Sequence, residues 1–310
     1  MEKCLVTGGA GFIGSHLVDM LLKNNFKVIV IDDLSSGNIE NIKHNLNNPD
    51  FKFLELDITD KEKVKETFIS ERPDYVFHLA AQINLRESIK DPINDARINI
   101  LGLLNLLENS RENKVKKFIF SSSAAVYSDE AKIPISENDK TGPLSPYGIT
   151  KLTTEKYLEF YKREYLLDFV ILRYSNVYGP RQNTKGEAGV VSVFINNILN
   201  NKPIFINGSG EQTRDYIFVE DVAFANLITI KDLSGIYNVS TKIETSVNEL
   251  HQKIRDIANK PIEKINAPEI NAELKRSCLD NQKICFKGWY YKTDLNRGLL
   301  KTYNWFKENI

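Results

Sequence analysis

"CLVTGGAGFIGSHLVDML", residues 4–21, runs from a short apolar segment through a glycine-rich turn into an amphipathic stretch. The apolar segment reads as a strand and the amphipathic stretch as a helix. Gly8, Gly11 and Gly14 stand three residues apart, with Phe12 and Ile13 between the last two. Glycines at such a junction permit a tight turn and let the backbone approach a pyrophosphate. The helix N-terminus behind them supplies N–H donors and positive potential. Any strand-to-helix turn can use glycine, so the surroundings must decide. The next apolar run, "KVIVIDD" (27–33), ends in Asp32 and Asp33, in the window where a carboxylate accepts hydrogen bonds from an adenosine ribose. A carboxylate there repels a 2′-phosphate, and "LSSGNIE" after it contains no arginine to welcome one. The reading is a site for NAD rather than NADP.

Working outward, "FKFLELD" (51–57), "DYVFHLAA" (74–81), "KKFIFSSS" (116–123) and "DFVILRYSN" (168–176) read as further strands, separated by helical patterns. That alternation predicts an α/β fold, a doubly wound Rossmann-type parallel sheet. After residue 176 the rhythm breaks. A loop, "YGPRQNTKGEAG", leads to a helix near 190–200, and an amphipathic segment closes the chain. A smaller C-terminal α/β substrate domain is therefore expected over 176–310, with 1–175 as the dinucleotide-binding domain, a return segment near 214–240, and the active site between the two lobes.

The composition narrows the class. Lys plus Arg is 41 and Asp plus Glu is 41, so there is no overall basic footprint for a nucleic acid. The three cysteines, Cys4, Cys278 and Cys285, are too few and scattered for a disulfide framework, and the four histidines show no metal-ligand spacing. No apolar run is long enough to span a bilayer. With the glycine turn beginning by residue 8, no signal peptide is expected. A reduced cytoplasmic protein is expected, with no metal, membrane or nucleic acid.

A second stretch carries chemistry. In "SPYGITK" (145–151), Ser145 suits a helix cap and Pro146 the first helical position. Tyr147 and Lys151 then fall one turn apart on one face. Alone, such a pair reads first as surface decoration; its company changes the reading. The motifs "TGGAGFIGSH", "HLAA", "SSSAAVY", "SPYGITK", "LRYSNVYGPRQ", "GEQTRDYIFVEDVA" and "RSCLDNQK" together resemble the extended short-chain dehydrogenase/reductase family, and closely its NAD-dependent UDP-glucose 4-epimerase-like members. The resemblance covers nearly the whole chain.

It implies Tyr147 as acid/base, Lys151 as its activator and ribose ligand, and Ser123 as the hydroxyl that bonds the sugar's 4-OH. A free phenol titrates at roughly 10, so a phenolic base near neutrality needs a drop of about three units, or about 4 kcal/mol. A nearby ammonium and the positive nicotinamide both favour phenolate. On the cofactor side the resemblance places Gly8, Gly11, Phe12, Ile13, Gly14, Asp32, Asp33, Asp57, Ile58, Leu79, Ala80, Ala81, Gln82, Asn99, Ser121, Tyr147, Lys151 and Tyr174. On the UDP-sugar side it places Ser123, Tyr147, Asn176, Val190, Phe205, Arg214 and Arg276. The two arginines suit a diphosphate, but each reads alternatively as a surface ion pair. Val190 and Phe205 read equally as core.

Related dehydratases carry an Asp–Glu pair after the serine, and related decarboxylases a Glu. Here stand Ala124 and Ala125, which transfer no proton. Transient oxidation at C4, rotation of the 4-keto sugar and hydride return is the chemistry that remains. Ser277 aligns with a residue that shapes the room beside C2, and its small size admits an N-acetyl group. Arg86 or Arg181 would suit a carboxylate, which keeps UDP-glucuronate open. Ser128 replaces a glycine usual in the family. Other readings are a net NAD-dependent sugar-nucleotide oxidoreductase and a non-enzymatic NAD-binding protein, the latter disfavoured by an intact Ser–Tyr–Lys set. A homodimer is expected through the helices near 93–112 and 146–165, with Leu101, Leu104, Leu107, Tyr157 and Tyr161 as face candidates.

Overall fold

The computed structural model describes residues 1–184, 189–231, 233–261, 263–269 and 274–309. Residues 185–188, within the loop after "YGPRQ", lie outside the described residues. The chain opens with β1 (Lys3–Thr7), α1 (Phe12–Lys23), β2 (Lys27–Asp32), β3 (Phe51–Glu55), α2 (Lys61–Glu71) and β4 (Tyr75–His78). α3 (Leu85–Lys90), α4 (Pro92–Ala96) and α5 (Leu103–Glu112) follow, the last two joined by a π-type turn over Arg97–Gly102. Then come β5 (Lys117–Ser123), α6 (Pro146–Tyr165), β6 (Phe169–Tyr174), β7 (Asn176–Tyr178), α7 (Val190–Leu199), β8 (Ile204–Asn207), β9 (Thr213–Phe218) and α8 (Val219–Ile228). β10 (Gly235–Val239), β11 (Glu244–Ser246), α9 (Val247–Ala258), β12 (Lys264–Ala267), β13 (Arg276–Ser277), α10 (Gln282–Cys285) and α11 (Leu295–Asn309) complete the chain.

Seven strands form one sheet in the order β10-β6-β5-β4-β1-β2-β3. The pairs β1–β2, β2–β3, β1–β4 and β4–β5 are parallel. The expected doubly wound sheet is present; its inner strands are largely buried on both faces, as helices covering both sides require, while the edge strand β3 exposes Lys52 and Glu55. Strand order reverses between β1 and β4, where open α/β sheets place their ligands beyond the carboxyl ends of the strands. The loop after β1 carries the glycines, and the loop after β4 carries residues 79–82.

Two compact units divide the chain. The first comprises Met1–Ser128, Lys140–Arg173 and Ala223–Tyr237; the second comprises Asp129–Asp139, Tyr174–Val222 and Asn238–Ile310. The return to the first unit begins at Ala223 rather than near 214, because residues 213–218 form the central strand of a small sheet in the second unit. The segment 129–139, read as part of the first domain, also belongs with the second unit. The first unit's core gathers Leu5, Ile31, Phe118 and Phe120 of the sheet with Leu106, Leu107 and Leu158 of α5 and α6. The second unit's core gathers Tyr178, Phe194, Ile195, Phe218, Leu250, Leu299 and Phe306.

In the second unit, β9 lies between β11 and β13, with β7 also pairing it. The β13–β9 register sets Arg276 beside Thr213 and Ser277 beside Arg214. Successive side chains of a strand point to opposite faces. Arg214 and Ser277 therefore share one face of this sheet, and Arg276 stands on the other.

Candidate active site

The turn after β1 is shaped by backbone contact. Gly8 adopts φ +71° and donates its N–H to the Ile31 carbonyl at 2.8 Å. A Cβ at Gly8 would lie 2.7 Å from the Ala80 backbone nitrogen, and one at Gly14 would collide with the Gly8 carbonyl oxygen. Gly11 is the N-cap of α1, which has neither a side-chain cap nor an acidic residue in its first turn. Its first N–H groups and its dipole thus face the turn, a setting suited to a pyrophosphate. Gly14→Ala should therefore cut the amount of NAD that copurifies by about tenfold or more, measured by chromatography of the denatured protein. Unchanged NAD content in a folded variant would show that the turn is not the cofactor's seat.

Asp32 and Asp33 separate in role. Asp32 is buried, and its two carboxylate oxygens accept the Ala10 and Leu34 N–H groups, each at 2.9 Å. Burial raises its proton affinity, while those backbone donors work the other way. Asp33 is exposed and turns back to Ser35, accepting its N–H at 3.0 Å and its hydroxyl at 2.6 Å. Asp32 is thus the acid that meets the glycine turn.

The other cofactor-side candidates surround the β4 loop. Asp57 accepts the Thr59 N–H at 2.8 Å and lies 3.7 Å from Arg97. Ile58 is buried, and its side chain fills the space that a Cβ on Gly102 would need. Leu79 and Ala80 donate their N–H groups to the Thr7 carbonyl and hydroxyl, at 3.1 and 3.2 Å. Ala81 is half-buried in the same loop. Asn99, in the π-type turn, holds Gln82 at both backbone atoms: its Oδ1 accepts the Gln82 N–H at 2.8 Å, and its Nδ2 donates to the Gln82 carbonyl at 3.0 Å. The Gln82 side chain donates to the Asn84 carbonyl and to Asp95, each at 3.0 Å. Asn99 and Gln82 are therefore committed to the shape of the loop.

α6 begins as its sequence predicts. Ser145 accepts the Gly148 N–H at 3.1 Å, and Pro146 occupies the first turn. Tyr147 donates its backbone N–H to Ser88 Oγ at 3.3 Å. Lys151 is buried and donates from Nζ to the Ser121 carbonyl at 2.8 Å, tying α6 to β5. The ammonium sits 5.7 Å from the Tyr147 ring centroid and 4.7 Å from that of Phe120. Burial pulls the Lys151 ammonium down to about 8, with Asp95 and Glu155 opposing the fall. Ser123 ends β5, and its Oγ accepts the Ala125 N–H at 3.2 Å, starting the short turn Ala124–Val126. A Cβ at Gly148 would stand 2.5 Å from the Ala125 carbonyl oxygen. Ser121 is buried on the same strand, as is Tyr174 at the end of β6.

Beneath this set lies a charged cluster that the sequence reading passed over. Glu155 and Arg173 are buried and joined at two points, through Nε at 3.0 Å and Nη2 at 2.5 Å. Ser122 donates to the same carboxylate at 2.6 Å, and the Arg173 guanidinium lies 4.7 Å over the Tyr127 ring. One signal was available: Glu155 follows Lys151 by four residues and so shares its helix face.

In the second unit, Asn176 is exposed at the start of β7, and Val190 opens α7, whose N-cap is Gly189. Phe205 is 56% exposed on β8 and is not core. Arg214 donates from Nη1 to the Thr213 carbonyl at 2.8 Å. Arg276 stands on the opposite face, in a two-point ion pair with Glu244 at 2.9 and 2.5 Å. The expectation that both arginines grip one diphosphate meets this register as an obstacle; Ser277, not Arg276, is the face-mate of Arg214. Arg86 is exposed on α3, and Arg181 adopts φ +65°. Ser128 is buried and donates its backbone N–H to the Lys140 carbonyl at 3.1 Å.

The candidate dimer-face residues divide between the surface, where Leu101 stands exposed, and the first unit's own core, with Leu104 half-buried. Leu107 and Tyr161 pack into the first unit's own core, the Tyr161 hydroxyl bonding Glu108, and Tyr157 packs against that core. The large hydrophobic side chains exposed on these segments are Ile93, Leu101, Ile149, Phe160 and Tyr165. Among the described residues no helix is long and apolar enough to cross a membrane.

This assembly of a glycine cradle, a strand-end serine and a Tyr–Lys helix is the frame of a short-chain dehydrogenase/reductase. The sequence profile of the NAD dependent epimerase/dehydratase family matches residues 4–240, and the chain belongs to that family. It is an enzyme, and its cofactor is NAD. It is 40% identical over 309 residues to the UDP-glucose 4-epimerase of Mycolicibacterium smegmatis, covering 98% of each chain. Its fold superposes with a TM-score of 0.95 on the UDP-glucose 4-epimerase of Thermotoga maritima solved with UDP-glucose, 44% identical over 99% of each chain. A UDP-N-acetylglucosamine 4-epimerase from Methanobrevibacter ruminantium, solved with UDP-N-acetylmuramic acid, gives a TM-score of 0.95 at 36% identity, covering 100% of this chain and 99% of that one.

Proposed function

We propose that this enzyme is a UDP-sugar 4-epimerase that interconverts UDP-glucose and UDP-galactose. The observation that carries the reading is the tie from Lys151, one turn after Tyr147, to the Ser121 carbonyl on the strand that ends in Ser123, with only Ala124 and Ala125 following the serine. NAD fits the first unit: the glycine cradle leaves room for a pyrophosphate, and Asp32 stands where a ribose would be read. When bound, NAD supplies the acceptor for the C4 hydride and the donor for its return.

The chain's own residues do the rest. Tyr147 Oη takes the proton of the sugar's 4-hydroxyl as the C4–H bond breaks, and gives it back when the carbinol is restored. Lys151 favours the phenolate through its positive charge. Ser123 hydrogen-bonds the 4-hydroxyl and orients it toward Tyr147. No group at 124 or 125 can move a second proton, so neither elimination nor decarboxylation competes. Asn176, Val190, Phe205 and Arg214 hold the UDP portion, Arg214 as a diphosphate ligand. Arg276, already neutralised by Glu244, is the weakest member of that set.

One observation favours a broader substrate range. Ser277 is small and shares the face of Arg214, which supports admission of a C2 N-acetyl group if that side chain borders C2. Proton NMR of the purified protein with UDP-glucose, and no added NAD, should show the UDP-galactose anomeric signal. A parallel sample with UDP-N-acetylglucosamine should show the corresponding galacto product. No conversion of UDP-glucose, even with NAD supplied, would overturn the assignment, and conversion of UDP-glucuronate alone would replace the substrate.

A further inference from the structure

The carboxylate of Asp95 is fully buried on α4, where an uncompensated charge is costly. Its hydrogen-bond partners are all neutral. Oδ1 accepts from Gln82 Nε2 at 3.0 Å and Asn99 Nδ2 at 3.2 Å, and Oδ2 accepts from the Thr150 hydroxyl at 3.1 Å. The residue after Thr150 is Lys151, whose ammonium is also buried and donates to a single carbonyl. The second buried carboxylate acting on Lys151 is Glu155, which Arg173 already neutralises at two points. Arg173 and Glu155 are thus in direct contact, whereas Asp95 and Lys151 do not touch and are linked through Thr150, the residue before the lysine, whose hydroxyl donates to Asp95.

We propose that Asp95 is the counter-charge of Lys151, a positioning residue whose carboxylate keeps the lysine cationic and whose hydrogen bonds fasten the 79–82 loop and the π-type turn to α6. The proposal rests on reading Tyr147 and Lys151 as the acid–base pair. The other groups that act on Lys151 do not replace Asp95. From β5 come the Ser121 carbonyl and the Phe120 ring, and from its own helix Tyr147 and the neutralised Glu155. From β4 comes His78, which burial holds down to about 3 and therefore neutral. Of the two carboxylates that raise the lysine's proton affinity, Asp95 has the larger effect.

The test is NMR titration of lysine carbons in the NAD-loaded protein, with the Lys151 signal identified by its loss in Lys151→Arg. In the native protein the signal should titrate near pH 8. In Asp95→Asn the lysine should bind its proton about tenfold more weakly. In Thr150→Val, which removes a hydrogen bond but keeps the charge, the midpoint should stay in place. Epimerase kcat of Asp95→Asn should fall progressively below native as pH rises from 6.5 to 8.5, whereas Thr150→Val should lower it evenly across that range. An unmoved Lys151 midpoint in Asp95→Asn overturns the proposal. Should that variant not fold, the native titration still decides: the Lys151 signal must show a second, acidic step as Asp95 takes up its proton, and a featureless acidic limb rejects the pairing. A shifted midpoint in a protein that epimerises no UDP-hexose would instead refute the functional reading and leave the charge coupling between Asp95 and Lys151 standing.

Discussion

Tyr147→Phe should lower the kcat of UDP-glucose epimerisation by about three orders of magnitude, while the protein keeps its NAD. The substitution removes one oxygen. The backbone N–H bond to Ser88, the Ser145 cap and the Lys151 tie to β5 do not depend on it. Loss of activity with folding and NAD content intact would therefore report the proton transfer itself. Ser123 cannot take over, because an alkoxide at neutral pH is far less accessible than a phenolate beside an ammonium. The measurement is initial-rate proton NMR on the variant and the native enzyme, with bound NAD counted in each. Activity within tenfold of native would move the base to another residue.

The second large effect is on stability. Glu155→Ala strands the Arg173 guanidinium in the interior and takes the acceptor from Ser122. Removing one partner of a buried ion pair costs about 3–5 kcal/mol. For a chain of this size that is a fall in Tm on the order of 10 °C, readable by thermal unfolding followed by circular dichroism. The double variant Glu155→Ala/Arg173→Leu should recover much of the loss, because removing both charges eliminates the unpaired one. If the single variant melts within about 2 °C of native, the pair contributes little to stability, and its value lies in orienting Ser122 and Lys151.

Much of this was legible in the sequence, for definable reasons. Six sheet strands were visible because a buried parallel strand must be apolar on both faces, and each stands out as a run. The glycine turn was visible because its spacing is set by backbone collisions at Gly8 and Gly14. α6 was visible because Ser145 and Pro146 mark its start. Three features were not. The π-type turn over Arg97–Gly102 hides in "RINILGLLNLL", whose apolar spacing suits a regular helix equally well. Asp95, Glu155 and Arg173 look like ordinary surface charges until the fold buries them. Arg276 is paired with Arg214 by the family resemblance, and sequence carries no information about which face of a sheet each occupies; only the β13–β9 register shows that they stand on opposite faces.

The contact between Gly148 and the Ala125 carbonyl has a consequence for how such an enzyme can change over time. At that point the helix bearing the tyrosine meets the main chain of the turn after the serine, with the Pro143 ring beside the contact. The gap is thus a ruler made of backbone. Substitutions that swell or shrink the surrounding core leave it untouched, so the interior of the first unit is free to drift while the reacting groups keep their separation. The exception is position 148 itself, where a single added methyl would force the two apart. Evolvability in the core and intolerance at one glycine are two sides of the same geometry.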